Sequence, residues 1–525
     1  MLMSQLAFGG QWHVYNLTQL QSYGSSTSIL PGDTIWIHGG TYAGPITCSL
    51  NGTPNHPIIV RNWDNERVVI DGGNSGGAPI FNIKGSYTWY WGLEIMSSAT
   101  NKVSTQSTSW PTDIAYGEGV EITQGGIDGT GCKFINLYVH DTRQGFSWWK
   151  EAANSEIYGC IISDNGWIAP DRPHGHNIYE QNTTGTKLCR DNIILRAYSH
   201  NIQSYGSSAS NEDNESFVGN VGLDGGERDF MQGGDNVSFN PVWQDNFMYR
   251  GDYNAAENLF YMGYPIGYSP GTQNAIVTDN FILNGLLTFN KNVNMTFERN
   301  TIWSLGMDGD VPSMDDDTVT TSRPNWTRVY IRYNIYEPGR ANIIVLNFLD
   351  EAKVNITPQM PIGSSYVIKD AQNYGSTPIV EGIYRGGSIS IPMLDSYLIP
   401  PNGNDPRGAQ HTTKEFGVFV LSTGTPASDT RIAQLLTDHP YMLYAYPNPF
   451  NPSTTIEFST GTAQEISVDV YDMLGRKIDH IFTGLSNAGT PTILQWDASK
   501  FGSGTYVVRV GNHNWGKTIR VNYVR

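Results

Sequence analysis

Short runs in which apolar and polar residues alternate begin the readable part of the chain. Three of them are Thr34 to His38, Ile58 to Arg61 and Val68 to Ile70, and Pro-Gly, Gly-Gly and Asn-Gly turns separate them. Alternation with a period of two, interrupted by turn residues, is typical of β-strands and leaves no room for helices. The pattern therefore predicts an all-β chain built from short strands.

The pattern repeats from Gly117 onward, where segments with an apolar pair beside a polar turn residue follow one another. Self-similarity at periods of roughly 20 to 50 residues indicates stacked coils, so this part of the chain is predicted to be a parallel β-solenoid. Asn258, Asn280 and Asn300 recur at turns of the repeat. Because side-chain amides can bond to the coils above and below, we expect an asparagine ladder through these three residues.

Aligning segments of the repeat places a polar column at one corner of the predicted solenoid. The inward apolar residues that superimpose are Val120, Phe146, Ile178 and Ile202. The residues two places before them are Glu118, Gln144, His176 and His200. In stacked coils, neighbours in such a column lie about 4.8 Å apart. We therefore predict one shared patch, whose candidate catalytic residues are Glu118, Arg143, Asp171, His174, His176 and His200.

Two kinds of glycan chemistry suit this patch. A polysaccharide lyase needs a base beside a uronate carboxyl and a cation, such as Arg143, Arg172 or bound Ca²⁺, to neutralise that carboxylate. A glycoside hydrolase needs two carboxylates around the glycosidic oxygen. The carboxylates available for the second chemistry are Glu118, Glu121, Asp171 and Glu180. Two other interpretations stay open: a hydrogen-bonded corner without chemistry, and a metal site at the His174 and His176 pair.

Aromatic and amide side chains surround the same coils. Aromatic faces stack on sugar rings and amides bind hydroxyls, although a solenoid also stacks aromatic residues in its core. The nearby tryptophans are Trp110, Trp148 and Trp167. The predicted substrate-binding residues are Trp149, Tyr179, Gln181, Gln203 and Tyr205.

One acidic loop is a further candidate. Asp308, Asp310 and Asp315 lie in a stretch that could hold Ca²⁺ through carboxylates and carbonyls. Its spacing does not match an EF-hand loop, so a solvated acidic loop is the competing interpretation.

The stretch Leu30 to Gly73 carries the arrangement PGDTI, GTY, PI.V and V.IDG. This arrangement resembles the opening coils of right-handed parallel β-helix proteins of the pectate lyase and chondroitinase B type. The resemblance implies the fold of residues 1–327. It transfers no catalytic residue, because the lysine and arginine signatures of those families are not identifiable in this sequence.

The remaining chain is predicted to form two sandwiches. Longer alternating strands over 328–422 indicate an accessory β-sandwich, and 423–440 reads as a linker. Residues 441–525 contain YPNPFNPSTTIEFS, ISVDVYDMLGRKI and LQWDASKFGSGTYVVRV. These motifs resemble the sorting domain of type IX secretion substrates, an immunoglobulin-like sandwich. The resemblance implies export across the outer membrane of a Bacteroidetes-type bacterium and names the type IX machinery as a partner.

Composition narrows the remaining choices. The chain has 525 residues and a net charge of −17, so a nucleic-acid partner is disfavoured. No apolar run reaches the roughly 20 residues that a membrane-spanning helix needs. Its four cysteines are too few for a disulfide scaffold. The start, MLMSQLAFGG, lacks the basic residues and length of a complete secretion signal, which indicates a truncated signal or a short mature start.

Together these patterns predict a secreted, multi-domain protein that acts on polysaccharide. Cleavage by a hydrolase or lyase at the patch around His176 is the main hypothesis. The alternative is a non-catalytic glycan-binding or adhesive surface protein exported by the same route. No cofactor other than Ca²⁺ is indicated by the sequence.

Overall fold

The computed structural model describes the chain in the ranges 9–122, 128–251, 258–262, 271–393, 397–408, 410–412, 414–424, 440–446, 448, 450–460, 464–486, 492–512 and 516–524. The start of the chain (1–8) and most of the predicted linker (425–439) lie outside these ranges. The structure has two compact units. One comprises Met1–Pro324 with Ser396–Thr412, and the other comprises Asn325–Asp395 with Thr413–Arg525. Residues 396–412, inside the predicted accessory sandwich, therefore pack with the first unit.

The first unit is a parallel β-helix, as the repeat predicts. One of its sheets has eleven parallel strands, roughly one from each coil. These strands are β1 (Gln11–Val14), β2 (Thr34–Ile37), β5 (Ile58–Asn62), β8 (Thr88–Trp91), β11 (Lys133–Ile135), β14 (Ser155–Tyr158), β19 (Lys187–Arg190), β22 (Glu215–Val218), β26 (Val242–Gln244), β30 (Ile276–Thr278) and β32 (Thr296–Glu298). The helix α1 (Leu17–Gly24) follows β1 and begins at Asn16, whose side chain caps it.

The second sheet of this unit has nineteen strands. In chain order they are β3 (Gly40–Ala43), β4 (Ile46–Cys48), β6 (Val68–Asp71), β7 (Phe81–Ile83), β9 (Glu94–Met96), β10 (Val120–Ile122), β12 (Tyr138–His140), β13 (Phe146–Trp148), β15 (Ile161–Ser163), β18 (Ile178–Glu180), β20 (Ile193–Leu195), β21 (His200–Ser204), β23 (Val221–Leu223), β24 (Arg228–Gln232), β27 (Phe247–Tyr249), β28 (Asn258–Met262), β31 (Phe281–Phe289), β33 (Thr301–Gly309) and β34 (Thr318–Thr320). Two short pairs complete the unit: β16 (Trp167–Ile168) with β17 (Pro173–His174), and β25 (Ser238–Phe239) with β29 (Thr272–Gln273).

Strands β10, β13, β18, β21 and β24 pair in succession and form what we call the site ribbon. Val120, Phe146, Ile178 and Ile202 are register partners in it, as the sequence alignment predicts. These residues are fully buried in the largest apolar cluster of the β-helix. Burial of one apolar side chain per strand and coil is the main driving force for stacking the coils.

The predicted asparagine ladder exists, but one of its members is different. Asn280 donates through Nδ2 to Oδ1 of Asn300 at 2.9 Å, and Asn246 donates to Asn280 in the same way. Asn258 instead lies in strand β28, in register with Arg228. The sequence spacing was misleading because the coils differ in length, so equal spacing does not identify equivalent turns.

The four cysteines are buried and free. Cys189 lies in β19, in register with Ile157 and Phe217, whereas Cys160 precedes β15 and its Sγ contacts the carbonyl of Phe134. They therefore fill apolar space in different parts of the coils.

The second unit is antiparallel. A five-stranded sheet has the order β35 (Thr327–Tyr333), β36 (Arg340–Asn347), β41 (Phe416–Thr423), β38 (Ser365–Asp370), β39 (Val380–Ile383). A two-stranded sheet joins β37 (Lys353–Ile356) to β40 (Ile389–Pro392), and a 3₁₀ turn covers Ala371–Asn373. Two further sheets follow toward the carboxy terminus. The first has three strands in the order β42 (Pro440–Tyr446), β43 (Ser453–Thr460), β46 (Thr492–Asp497). The second has four strands in the order β45 (Lys477–Ser486), β44 (Gln464–Asp472), β47 (Gly504–Gly511), β48 (Gly516–Tyr523).

Candidate functional site

A second, shorter ladder shapes the corner of the site ribbon. Asn165 donates through Nδ2 to Asn177 at 2.8 Å, Asn177 donates to Asn201 at 2.8 Å, and Asn201 donates to Asp229 at 2.5 Å. All four residues, which we call the inner ladder, are buried. Each of the last three stands directly before an inward apolar residue of its strand. The residue one place earlier in each coil, His176, His200 or Arg228, is less buried than its ladder neighbour and marks the outer side of the corner.

The outward residues form the column that the sequence predicts, with one more member. This outer column consists of Glu118, Gln144, His176, His200 and Arg228; Gln144, His176 and Arg228 are partly exposed, whereas Glu118 and His200 are buried. His200 and Arg228 are register partners, and the rings of His176 and His200 lie 5.0 Å apart. Arg228 was missed in the sequence, although extending the alignment by one coil, from Ile202 to Phe230, would have found it.

The surroundings of His200 fix its protonation. Arg228 donates through Nη1 to Nε2 of His200 at 2.9 Å. A guanidinium only donates, so the proton of the ring is on Nδ1, which lies 2.6 Å from Oγ of Ser199. The Ser199 hydroxyl donates in turn to Oε2 of Glu227. Burial, His176 and Arg228 lower the pKa of His200 well below its ordinary value. With its only lone pair facing Arg228, His200 positions that guanidinium and is poorly placed as a base.

His176 is the more accessible histidine of the column. The backbone N–H of His200 donates to its Nδ1 at 3.3 Å, which leaves the proton on Nε2. Burial, Arg172 and His174 lower the pKa of His176 to about 3. The ring is therefore neutral at physiological pH and offers an N–H donor beside Tyr179, whose ring lies 5.6 Å away.

Glu118 stands at the other end of the column. Burial is the main reason that its pKa is raised to about 7, and the charge of Glu121 raises it further while Arg143 opposes the shift. A carboxyl with this pKa is a suitable general acid at neutral pH. Glu121 points outward from β10 and is partly exposed. Gln144 lies between Glu118 and His176, so about two strand spacings separate these two groups.

Arg143 has partners of its own beside the column. Its Nη2 donates to the carbonyls of Ile114 (2.6 Å) and Pro111 (3.3 Å). Its guanidinium lies 5.5 Å from the ring centres of both Trp110 and Trp167. These contacts tie the loop before Glu118 to the β-helix. We call this loop, together with the β16 and β17 pair, the wall of the site, and Arg143 supports it.

His174 and Asp171 lie in the same wall rather than in the column. His174 is in β17, where it stacks on Trp167 with 5.1 Å between ring centres. Its Nε2 lies 3.2 Å from Oδ2 of Asp171. The His174 and His176 pair therefore does not present two imidazoles to one metal ion, because β17 pairs with β16 outside the site ribbon.

The predicted substrate-binding residues separate into two groups. Tyr179 and Gln203 are register partners on the outer surface of the ribbon, and both are partly exposed. Trp149 packs against Tyr179 with 5.1 Å between ring centres. Gln181 is buried and donates to the carbonyl of Tyr205, whose hydroxyl donates to Asp235 at 3.2 Å. Tyr179, Gln203 and Trp149 thus line the surface, whereas Gln181 supports it.

Other candidates are in the interior. Glu180 points inward, opposite Trp148, and both lie inside the coil with almost no exposed surface, away from the outer column. Glu180 instead belongs to an interior carboxyl cluster with Glu212 and Glu215. Lys187 donates from this interior to the carbonyls of Trp148, Trp149 and Gln181 at 2.6 to 2.8 Å.

The acidic loop uses its carboxylates locally. Oδ1 of Asp308 accepts from the N–H of Gly309, Oδ2 of Asp310 from Lys291, and Oδ2 of Asp315 from Ser313. In the described ranges, no group of three or more histidine, cysteine, aspartate or glutamate side chains is arranged to hold a metal ion. Likewise, no helix in those ranges is long and apolar enough to cross a membrane.

Solved structures similar to this chain include pectate lyase Pel9A, at 15% identity and TM-score 0.34 over 59% of this chain and 81% of that chain. An alginate lyase from Paenibacillus sp. is 14% identical, with TM-score 0.32 over 59% of this chain and 99% of that chain. The tailspike gp49 of an Acinetobacter baumannii bacteriophage, a capsular polysaccharide depolymerase, is 10% identical, with TM-score 0.26 over 79% and 84%. Likeness at this level carries no information about the reaction. Among proteins with curated descriptions, no sequence matches this chain.

Residues 444–521 match the family model of the secretion system C-terminal sorting domain. This match confirms the resemblance of the carboxy-terminal motifs to type IX sorting domains. The protein therefore carries the signal for export across the outer membrane, to the cell surface or the medium.

Proposed function

We propose that this protein is an exported enzyme that cleaves glycosidic bonds of a polysaccharide on the site ribbon. The observation that carries the proposal is the continuous strip of outward polar and aromatic side chains that crosses successive coils. The strip contains Gln144, His176, Tyr179, Gln203 and Arg228. A polymer laid across the coils meets a hydrogen-bonding group or a ring at every strand, about 4.8 Å apart.

Local charge favours an acidic polysaccharide. The chain carries a net charge of −17, yet Arg172 and Arg228 stand beside the two histidines and lower the pKa of His200. Oε2 of Glu227 lies 3.8 Å from Nη1 of Arg172, so the guanidinium of Arg228 is the main group that would attract an anionic sugar here. Planar guanidinium groups also match the carboxylate of a uronate in shape.

Hydrolysis is the reaction that the carboxylates support. Glu118 keeps its proton up to a pH of about 7 and can donate it to the leaving glycosidic oxygen. Glu121, close enough for its charge to raise the pKa of Glu118, serves as the base or nucleophile. The outward donors His176 and Arg228 hold the acidic sugar in the next subsites.

Elimination is the second candidate, favoured by the neutral His176 beside arginines. In this reaction Arg228 or Arg172 neutralises the uronate carboxylate and His176 removes the adjacent proton. A C=C bond forms as the bond to the glycosidic oxygen breaks, and that oxygen leaves with a proton from water. The proton of His176 must first move to Nδ1, and the contact there is a long one of 3.3 Å. Hydrolysis needs no such rearrangement.

The test is incubation of the purified protein with a panel of acidic and neutral polysaccharides. Reducing ends without the ultraviolet absorbance of an unsaturated sugar indicate hydrolysis, and both signals together indicate elimination. Binding to a polymer without either signal would support the non-catalytic alternative and overturn the proposal. Glu118→Gln should abolish hydrolysis, while Asp315→Asn, an exposed carboxylate in the acidic loop, is the matched control.

A further inference from the structure

We propose a second, non-catalytic glycan-binding surface on the first three coils. It consists of the rings of His13, Tyr15, Trp36, His38 and Trp63, which we call the aromatic patch. The patch lies on the eleven-stranded sheet, whereas the site ribbon belongs to the nineteen-stranded sheet. It is therefore a binding site separate from the proposed catalytic face, and it does not depend on that proposal.

The register of the strands explains why these rings face outward. Trp12, Ile35 and Val60 are register partners in β1, β2 and β5 and point to the interior. The next residues, His13 and Trp36, are partners on the outer surface. Successive side chains of a strand point to opposite faces of the sheet, so the outward position of His13 and Trp36 follows from the inward position of Trp12 and Ile35.

One residue beyond the ends of β1, β2 and β5, the chain adds a second row of rings. This row is Tyr15, His38 and Trp63, one ring from each coil. The backbone ladder continues there, because the N–H of His38 donates to Val14 at 2.9 Å and that of Trp63 donates to Ile37 at 2.8 Å. His38 and Trp63 are therefore held by backbone hydrogen bonds of the same kind as those in the strands.

The rings follow one another at the spacing of the coils. Tyr15 and His38 are stacked with 4.2 Å between ring centres, and His38 and Trp63 are 5.4 Å apart. Trp36 meets Trp63 edge-on at 5.3 Å. Because Tyr15 and His38 cover each other's faces, a sugar chain along the solenoid axis would meet ring edges within the row and the exposed rings of Tyr15 and Trp63 at its two ends.

The patch is open to solvent, although rings of this size are costly to expose. Tyr15 is 63% exposed and Trp63 is 36% exposed. The ring of Tyr15 contacts the rings of His13 and His38. The ring of Trp63 contacts those of His13, Trp36 and His38. By contrast, Tyr158, on the outer surface of β14 in the same sheet, is fully buried.

A polar rim makes sugar a better occupant than an apolar protein surface. Gln11 accepts from Nε1 of Trp36 at 2.5 Å, and Nδ1 of His13 lies 3.0 Å from Nε2 of His38. Oε2 of Glu66 lies 3.5 Å from Nδ1 of His38. Amide, imidazole and carboxylate groups bind hydroxyls, while the rings take the apolar C–H faces of a pyranose. The guanidinium of Arg61, 5.2 Å from the ring centre of Trp36, adds a further polar group at this rim.

The experiment compares the full chain with the double variant Tyr15→Ala/Trp63→Ala, by affinity electrophoresis in alginate, polygalacturonate, xylan and soluble cellulose derivatives. We expect at least one polymer to retard the wild type and the double variant to bind it about tenfold more weakly, the loss of two stacked rings. Turnover of short oligosaccharides at the site ribbon should be unchanged. Tyr397→Ala, which removes another strongly exposed ring, is the matched control and should bind as the wild type does.

A ring-preserving variant guards against misfolding. Tyr15→Phe/Trp63→Phe should retain binding, whereas loss of binding in both double variants would contradict stacking as the cause. Equal retardation of wild type and Tyr15→Ala/Trp63→Ala in every polymer would overturn the proposal, and so would the absence of retardation in all four. A wild-type dimer that the alanine variant converts to a monomer in sedimentation would assign the patch to a second copy of the chain. Loss of binding with intact turnover separates this proposal from failure of the catalytic one.

Discussion

The inner ladder and the outer column run through the same coils, one residue apart, and have opposite surroundings. Asn177 and Asn201 are buried and each amide is fully paired. His176 and His200 precede them in the chain, and their rings lie beside Arg172 and Arg228; His176 is partly exposed and His200 is buried. Both rows are polar and repeat from coil to coil, so repetition alone does not separate structure from function.

The two rows differ in how many of their hydrogen-bonding groups are open to solvent. Inside the corner each donor meets an acceptor on the next coil, which stabilises the stack. Outside it, His176, Tyr179 and Gln203 stay partly exposed and can bind a polymer. Substitutions in the inner ladder should therefore affect folding, and those in the outer column should affect turnover. Four predictions test this division between buried and accessible polar groups, in the two rows and in the interior carboxyl cluster.

The largest effect is expected for Glu118→Gln. Removal of a general acid costs about 100-fold to 10,000-fold in turnover, whereas the variant should be at least as stable as the wild type, because a neutral amide avoids the buried charge that Glu118 takes up at alkaline pH. The wild type should also lose activity as the pH rises through about 7, where Glu118 gives up its proton. A pH profile of cleavage measures both effects. Full turnover by the variant would remove Glu118 from the outer column's chemistry.

Next in size is Asn201→Ala, in the inner ladder. Its Nδ2 donates to the carbonyl of Leu223 at 3.0 Å, and its Oδ1 accepts from Asn177 and from the N–H of Ala197. Leaving these buried groups unpaired should lower the free energy of unfolding by about 3 kcal/mol. Denaturant unfolding measures the loss. The matched variant Gln203→Ala, outward and two residues away, should change stability by less than about 0.5 kcal/mol.

A third prediction concerns the interior carboxyl cluster. Burial, and next the charge of Glu180, raises the pKa of Glu215 well above its ordinary value. The folded protein therefore keeps a proton that the unfolded chain releases, so stability is lost as the pH rises above about 4.5. Glu215→Gln should unfold at higher denaturant concentration than the wild type at alkaline pH and show no such gain at acid pH.

The amide of this variant can still accept from Ser204, which bonds to Oε2 of Glu215 at 2.6 Å, and can donate to Glu180. The half-exposed Glu298→Gln, which removes a carboxylate outside the interior cluster, is the control. A wild type whose stability does not fall toward alkaline pH would contradict the assignment of a buried proton to Glu215.

The smallest effect is expected on His176. Since its pKa is about 3, the imidazole resonances of His176 should not titrate between pH 5 and 8. After burial, the charge of Arg172 is the next cause of the lowered pKa, so Arg172→Ala should raise that pKa modestly. Nuclear magnetic resonance of histidine-labelled protein measures both values. An ordinary titration near neutral pH in the wild type would place His176 in open solvent instead.

The fold was readable because its signals are local. Alternation, turn residues and the motifs around Pro31 and Pro447 identify strands, coils and the sorting domain without any knowledge of distant contacts. The candidate site was readable in part. Its column followed from aligning Ile178 with Ile202, but Arg228 was missed because the alignment stopped one coil early.

The partners within the site could not be read in the same way. His174 and His176 are two residues apart, yet the first stacks on Trp167 in the wall and the second joins the column. Arg143 is a second example of partners that the sequence does not reveal, since the carbonyls it bonds to come from a loop about 30 residues earlier in the chain. Such contacts depend on how loops of different length return to the corner.

The sequence by itself determined the parallel β-helix, the sorting domain and the polar column, because period and turn chemistry act over a few residues. Only the tertiary structure decided which polar groups are buried or hydrogen-bonded within the protein and which can bind a ligand. It turned Glu180 into the interior, paired His200 with Arg228 and left His176 facing outward. The physical reason is that burial and hydrogen bonding depend on neighbours from other coils, which no single segment of the chain specifies.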